Sequence, residues 1–225
     1  MTKVVVGLSG GMDSTTLLGF LLNKEYSVEC CTFTYGSKHN KWESQAALAV
    51  VDFYRQQHYH VGHHRFDLTE VFSDFKSDLL LTGGDIPEGH FESEVMKQTV
   101  VPGRNLIMSS IMLGLAESIK ATYIALGVHS GDHHIYPDCR PAFVNALREV
   151  AEVQTEGKVT VSAPFQMYNK EQILGLGYSL DPIVPYYETR TCYKDQKVSC
   201  GKCGSCQERL EAFASINRKD PLKYE

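Results

Sequence analysis

Val4-Val5-Val6-Gly7-Leu8-Ser9-Gly10-Gly11-Met12-Asp13-Ser14 is the stretch that decides the fold. An apolar run ending in paired glycines flanked by serines predicts a buried strand that turns directly into a helix. Backbone N–H groups are free at such a turn, and the helix dipole adds partial positive charge, so the turn makes an anion cradle. Two glycines let the backbone approach a phosphate closely, Ser9 and Ser14 add hydroxyl donors, and Asp13 adds a ligand for a metal ion. A Walker-type loop needs a longer glycine spacing and a lysine, which this stretch lacks. The plainer alternative is a glycine turn that only packs strand against helix. Position, spacing and chemistry together favour the cradle.

Composition sets the frame around this motif. A chain of 225 residues with 43% hydrophobic and 22% charged residues suits one large soluble domain, or one domain with a small appendage. The net charge of -5 argues against a general nucleic-acid binder, which is usually basic. The N-terminal apolar run is too short for a signal peptide and no run reaches membrane-spanning length, so a cytoplasmic location and no membrane partner are expected. Seven cysteines, four of them crowded near the C-terminus, fit a metal site in a reducing compartment better than a disulfide framework.

Apolar strand-like runs alternate with amphipathic stretches, the pattern of a parallel sheet covered by helices. Strands are predicted near Lys3–Leu8, Val28–Thr34, His60–Phe66, Thr122–Gly127 and Val159–Ala163. Helices are predicted over Ser14–Asn23, Lys41–Gln56, Leu106–Ile119, Arg140–Val153, Lys170–Leu176 and Cys206–Ile216. The expected fold class is α/β, a doubly wound, mainly parallel sheet, with ligands outside the carboxyl ends of its strands. Residues 1–185 would form this domain and 186–225 a small C-terminal segment packed on it. The glycine- and acid-rich stretch from Thr82 to Val101 reads as a lid.

Cys192, Cys200, Cys203 and Cys206 lie seven, two and two residues apart, and Cys-Gly-Lys-Cys-Gly-Ser-Cys makes a tight knuckle. Four thiolates at ~2.3 Å form a closed zinc shell, which would pin the tail and leave no position for an activated water. A redox pair would leave two cysteines unused, and an iron–sulfur cluster could use the same spacing. Zinc is favoured. Cys30 and Cys31, inside an apolar run, read as core, and Cys139 as at most site-lining. His58, His60, His63 and His64 would be split between strand faces by alternation, which weakens a shared metal site.

Several motifs occur in a telling order: the glycine turn, Thr32-Phe33-Thr34-Tyr35-Gly36-Ser37-Lys38-His39, Val101-Pro102-Gly103-Arg104-Asn105, Tyr136-Pro137-Asp138-Cys139-Arg140, Thr191-Cys192-Tyr193 and the knuckle. The turn resembles the pyrophosphate loop of ATP pyrophosphatases, and the ordered set, from about Val4 to Cys206, resembles the 7-cyano-7-deazaguanine synthase family of queuosine and archaeosine precursor biosynthesis. Gly127-Val128-His129-Ser130-Gly131-Asp132-His133 differs from the Cys-Glu-Thr-Asp form of some members, which touches only individual contacts.

The resemblance implies an adenine-nucleotide α-hydrolase-like fold and an ATP-dependent C–N ligase. Its substrates would be 7-carboxy-7-deazaguanine, ammonia and two ATP, and its products AMP and a nitrile. Ser9, Gly10, Gly11, Asp13, Ser14, Gly103 and Arg104 would then contact ATP, with Asp13 holding magnesium and Arg104 stabilising developing charge. Asn105 could contact nucleotide or merely cap a helix. Tyr35, His39, Asp132, Tyr136, Asp138 and Arg140 would form the deazapurine pocket, with Arg140 pairing with the substrate carboxylate. Zinc would be structural, no direct nucleic-acid contact is expected, and homodimers are usual in the resembled family. Two other readings compete: a related ATP pyrophosphatase that passes an activated deazapurine to another amine, and a zinc-knuckle binding module without catalysis.

Overall fold

In a computed structural model, which describes residues 1–88 and 94–225, five parallel strands form one sheet in the order β3-β2-β1-β4-β5. They are β1 (Lys3–Gly7), β2 (Ser27–Thr34), β3 (Val61–Asp67), β4 (Tyr123–Ala125) and β5 (Thr160–Ser162). The helices are α1 (Met12–Leu22), α2 (Asn40–Gln56), α3 (Arg104–Ser118), α4 (Pro141–Thr155), α5 (Lys170–Ser179) and α6 (Gly204–Ser215). Each expected strand and helix is present, with ends shifted by a few residues.

Alternation on β1 explains why helices cover both faces. Val4 and Val6 pack with Leu17, Leu18 and Leu21 of α1 and with Val50, Val51 and Tyr54 of α2. Val5, pointing the other way, packs with Met112, Leu113 and Ala116 of α3 and with Val144, Leu147 and Ala151 of α4. Strand order reverses direction at β1, which pairs with β2 on one side and β4 on the other. The crevice at that switch point is where doubly wound sheets bind ligands.

Local chemistry fixes the elements that reach this crevice. Pro141 starts α4, where its missing N–H costs nothing. Asn169 and Gln172 form a capping box at α5, with Oδ1 of Asn169 accepting from Gln172 N at 2.8 Å and Oε1 of Gln172 accepting from Asn169 N at 2.9 Å. That box places Lys170 at the first helical position. Asn40 Oδ1 accepts from Tyr35 N at 3.1 Å and Ser37 N at 2.6 Å, closing the turn between β2 and α2.

The C-terminal segment is tied down by Arg209, which is fully buried. Its guanidinium donates to both carboxylate oxygens of Asp220, at 2.7 and 3.0 Å, to Thr189 Oγ1 and to the Tyr186 carbonyl. Tyr186, Ala212 and Phe213 pack with Met12 of α1 and Leu174 of α5. Of the stretch expected to form a lid, residues 89–93 lie outside the described residues. Its flanks are bonded to the body: Leu81 N donates to Gly36 O, and Glu88 bridges to Cys203. Among the described residues, no helix is long and apolar enough to cross a membrane.

Candidate active site

Gly10 makes the turn after β1 possible. Its φ is +81°, and a Cβ there would lie 2.6 Å from Ala47 N and 2.7 Å from Glu43 O, inside the backbone of α2. The chain then enters α1, whose first N–H groups, on Met12, Asp13 and Ser14, have no intrahelical acceptor. Ser9 Oγ accepts from Gly11 N at 3.1 Å and lies 3.1 Å from Ser14 Oγ, so both hydroxyls are held at the mouth of the cradle.

Asp13 sits in a buried charge cluster. Lys170 Nζ lies 3.3 Å from its Oδ2 and donates to Glu208 Oε2 at 2.6 Å. His129 Nε2 lies 3.6 Å from the same Asp13 oxygen and 3.4 Å from Asp132 Oδ2, while its Nδ1 accepts from Gly131 N. Burial alone would raise the Asp13 pKa, but the charges of Lys170 and His129 outweigh it and hold the carboxyl well below the usual range. Burial lowers His129, yet Asp132 and Asp13 carry it up to about 9. Asp13 Oδ1 is buried with no hydrogen-bond partner among the described residues, which leaves a carboxylate oxygen free for a cation.

Two adjoining cavities open from the cradle, of about 280 and 120 Å³. The lining of the larger includes the apolar side chains of Cys31, Phe33, Met108, Met112 and Leu126. It also includes the cradle residues Ser9, Gly11, Asp13 and Ser14 with Asp132, and Tyr35, His39, Glu43, Arg104 and Tyr193. The smaller cavity adds Lys170, Arg190 and Glu208 beside Asp13. The lining thus offers partners to both apolar and anionic parts of a ligand.

Arg104 is the cation of the larger cavity. Its guanidinium lies 5.9 Å from the Tyr35 ring centroid and 5.8 Å from that of Tyr136, with Nη1 3.4 Å from Tyr35 Oη. Burial would lower its pKa, but the Tyr35 and Tyr136 hydroxyls and Asp138 raise it further. Burial pushes the phenols of Tyr35, Tyr136 and Tyr193 up. The Tyr136 hydroxyl bonds Thr99 Oγ1 at 3.0 Å and Tyr193 Oη at 3.3 Å, so Tyr136 stands behind the wall rather than in it.

Some sequence-selected residues lie away from the cavities. Arg140 is exposed, caps α4 and donates from Nε to the His133 carbonyl at 2.8 Å, so it does not share the cavity with Arg104. The family resemblance implied a common pocket with Tyr136 and Asp138, but the short helical turn that precedes it leaves Arg140 on the surface. Gly103 is exposed and takes a left-handed φ of +65° as the N-cap of α3. Asp138 Oδ2 accepts from Asn105 N at 3.1 Å, which makes Asp138 a cap for α3 and places Asn105 inside the helix, where it lines the larger cavity. Cys139 lines the cavity, and burial holds its thiol well above the ordinary range. His63 bonds Thr32 while His64 bonds Glu29, on opposite strand faces as alternation requires.

Lys170, His129, Glu43, Arg190 and Glu208 were not selected from sequence. The Asn169–Gln172 capping box is the signal that could have found Lys170, because it fixes where that helix begins. His129 was in view only as part of a variant motif.

The sulfurs of Cys192, Cys200, Cys203 and Cys206 all lie within 4.8 Å of one another, and all four residues are buried. Tetrahedral bonds of ~2.3 Å would set sulfurs about 3.8 Å apart, and Cys200 and Cys206 Sγ stand at 4.0 Å. Backbone N–H groups of Lys202 and Cys203 donate to Cys200 Sγ at 3.4 and 3.3 Å, as amides do around metal thiolates. The donor set fits a metal ion. Tyr193, next to Cys192, carries this order into the cavity wall.

A crevice at the switch point of a parallel sheet, with a glycine turn at the first strand's end, defines a doubly wound α/β protein with its candidate site at the carboxyl ends of the strands. Solved structures agree on the fold. The U34-tRNA thiolase NcsA from Methanococcus maripaludis, with its 4Fe-4S cluster, matches with a TM-score of 0.50 at 15% identity, over 96% of this chain and 65% of that one. NMN synthetase from Francisella tularensis also matches at 0.50, with 11% identity, over 96% and 77%. The chain belongs to the queuosine biosynthesis protein QueC family, whose model matches residues 3–217. It is 43% identical to the 7-cyano-7-deazaguanine synthase of Pseudoalteromonas atlantica, over 99% of each chain. It is 42% identical to that of Desulfotalea psychrophila, over 100% of this chain and 99% of that one.

Proposed function

We propose that this chain makes 7-cyano-7-deazaguanine, the product its relatives are named for, by joining 7-carboxy-7-deazaguanine to ammonia and dehydrating the amide, with two ATP cleaved to AMP and pyrophosphate. The observation that carries the reading is the cradle of free amides beside Asp13 and Lys170, opening on the same cavity as Arg104.

A carboxylate resists ammonia because its oxide is a poor leaving group. Attack of a carboxylate oxygen on the α-phosphorus forms the O–P bond and expels pyrophosphate, giving a mixed anhydride. Ammonia then displaces AMP, leaving an amide. A second adenylation, on the amide oxygen, lets AMP depart again as the nitrogen loses its protons and the nitrile forms. Both rounds ask the same of the protein: donors for a departing pyrophosphate next to a seat for a flat ring.

The amides of Met12, Asp13 and Ser14 with the Ser9 and Ser14 hydroxyls would take the pyrophosphate, and Lys170 would add positive charge to it. Asp13 Oδ1 would hold magnesium, which when bound neutralises phosphate charge. Cys31, Phe33, Met108 and Met112 suit the adenine. Arg104, between tyrosine rings, suits the substrate carboxylate, the part first expected of Arg140. The cysteine group would hold zinc as a structural ion, with residues 186–225 as the appendage it pins to a 1–185 domain. A homodimer of cytoplasmic chains that meets no nucleic acid directly completes the reading.

The test is to incubate the purified protein with ATP, magnesium, ammonium and 7-carboxy-7-deazaguanine, and to follow nucleotide products and purine mass. AMP and a nitrile are expected. ADP, or an unaltered purine beside AMP, would refute the reading.

A further inference from the structure

Both amination and dehydration release protons from nitrogen, so the cavity needs a group that can accept one. We propose that His39 is that general base and that Glu43 orients it, an assignment that rests on the functional reading above.

His39 lines the larger cavity and is 1% exposed. It stands at the N-cap of α2, and Glu43, one turn along the same helix, brings Oε1 to 3.4 Å from its Nε2. A carboxylate on Nε2 favours the tautomer with the proton there, which leaves the lone pair on Nδ1. Nδ1 has no hydrogen-bond partner among the described residues, an unusual state for a buried ring nitrogen. Its ring packs on Tyr193 at 5.3 Å between centroids, so the segment that carries the cysteines fixes its other face.

Of the other ionisable liners, Asp132 is paired with His129 Nε2 at 3.4 Å and Glu43 is the carboxylate already turned to His39. Tyr35, Tyr193 and Cys139 are pushed up by burial, and Arg104 is held as a permanent cation. Asp13 is kept ionised by Lys170 and His129 and faces the cradle instead. An imidazole with a free ring nitrogen is the commonest general base among side chains.

In the first round, ammonia forms the C–N bond, the C–O bond to AMP breaks with its electron pair going to the phosphate oxygen, and the proton lost from nitrogen goes to Nδ1. In the second, the adenylated amide first gives one N–H proton to Nδ1 and becomes a neutral imidate. Removal of the remaining N–H proton by Nδ1 then drives its bonding pair into the C≡N bond while AMP leaves again. His39 returns each proton to solvent between steps.

The experiment compares full-length wild type with His39→Asn, Glu43→Gln and Glu43→Asp. Each is assayed for ATP–pyrophosphate exchange with the carboxylate substrate in the absence of ammonia, and for nitrile formation with ammonia present. Exchange needs binding and adenylation but no base. His39→Asn is expected to keep exchange within about threefold while nitrile formation falls by roughly 100-fold or more, the scale of general-base loss. Glu43→Gln should show the same split, and Glu43→Asp should recover much of the loss. Equal losses of exchange and nitrile formation in His39→Asn, or no loss in either, would overturn the proposal. Wild type making no nitrile would instead refute the functional reading itself.

Discussion

Gly10→Ala and Gly11→Ala, one residue apart, should behave as opposites. At Gly10 an added Cβ meets Ala47 N at 2.6 Å, Glu43 O at 2.7 Å and Ala46 Cβ at 2.9 Å, and φ is +81°. The left-handed backbone costs about 1–2 kcal/mol for a residue with a side chain, and forcing a methyl into packed backbone costs about 1–3 kcal/mol more. The sum is about 2–5 kcal/mol, or a drop of roughly 4–20 °C in Tm for a chain of this size. Because the obstacle is α2, relief would also displace His39 and Glu43. At Gly11, φ is -73°, and the added Cβ meets only Ser9 Oγ at 3.1 Å and Arg190 O at 3.6 Å. Gly11→Ala should therefore fold within about 1 kcal/mol of wild type, yet crowd a phosphate at the cradle. Thermal unfolding and ATP–pyrophosphate exchange, measured on both variants, check the argument. Gly10→Ala with unchanged Tm and exchange, or Gly11→Ala unfolding as readily as Gly10→Ala, would refute it.

Arg104→Ala should cut kcat/KM for the carboxylate substrate at least 100-fold, against less than tenfold for Arg140→Ala; steady-state kinetics on both variants decides. His129 is raised to about 9 in the folded chain, so its contribution to stability is complete below pH 6.5 and is lost as pH rises through 9. Denaturant unfolding across that range should show a fall of up to about 3 kcal/mol, taking about 1.4 kcal/mol per pKa unit, which His129→Gln lacks. Asp13 is depressed, so its contribution holds above its ordinary value and is lost as pH falls toward its lowered pKa. Lys170→Met should accordingly move acid unfolding to higher pH, followed by circular dichroism. Elemental analysis should give one zinc per chain with no visible iron–sulfur absorbance, and chelation should lower Tm by at least 10 °C.

The fold was legible because its signals are local. Val4-Val5-Val6 is too apolar for anything but a buried strand, and the glycines after it can only be a turn. The cysteine knuckle was legible for the same reason, since three of its four ligands lie within seven residues. The charge cluster was not. Asp13, His129, Lys170 and Glu208 come from four separate elements and meet only because the crossovers return each to one end of the sheet. A lysine at the start of α5 and a glutamate in α6 look in sequence like ordinary solvated positions. Arg140 is the converse case. It follows a distinctive motif closely, but a single helical turn sends it to the surface, whereas Arg104 is carried into the cavity by α3.

The most direct test of the account is the stoichiometry of nucleotide cleavage during a single conversion of acid to nitrile. If the cradle at the end of β1 receives pyrophosphate in both rounds, two AMP and two pyrophosphate should appear for each nitrile formed. ADP and phosphate in their place, or one AMP per nitrile, would contradict it.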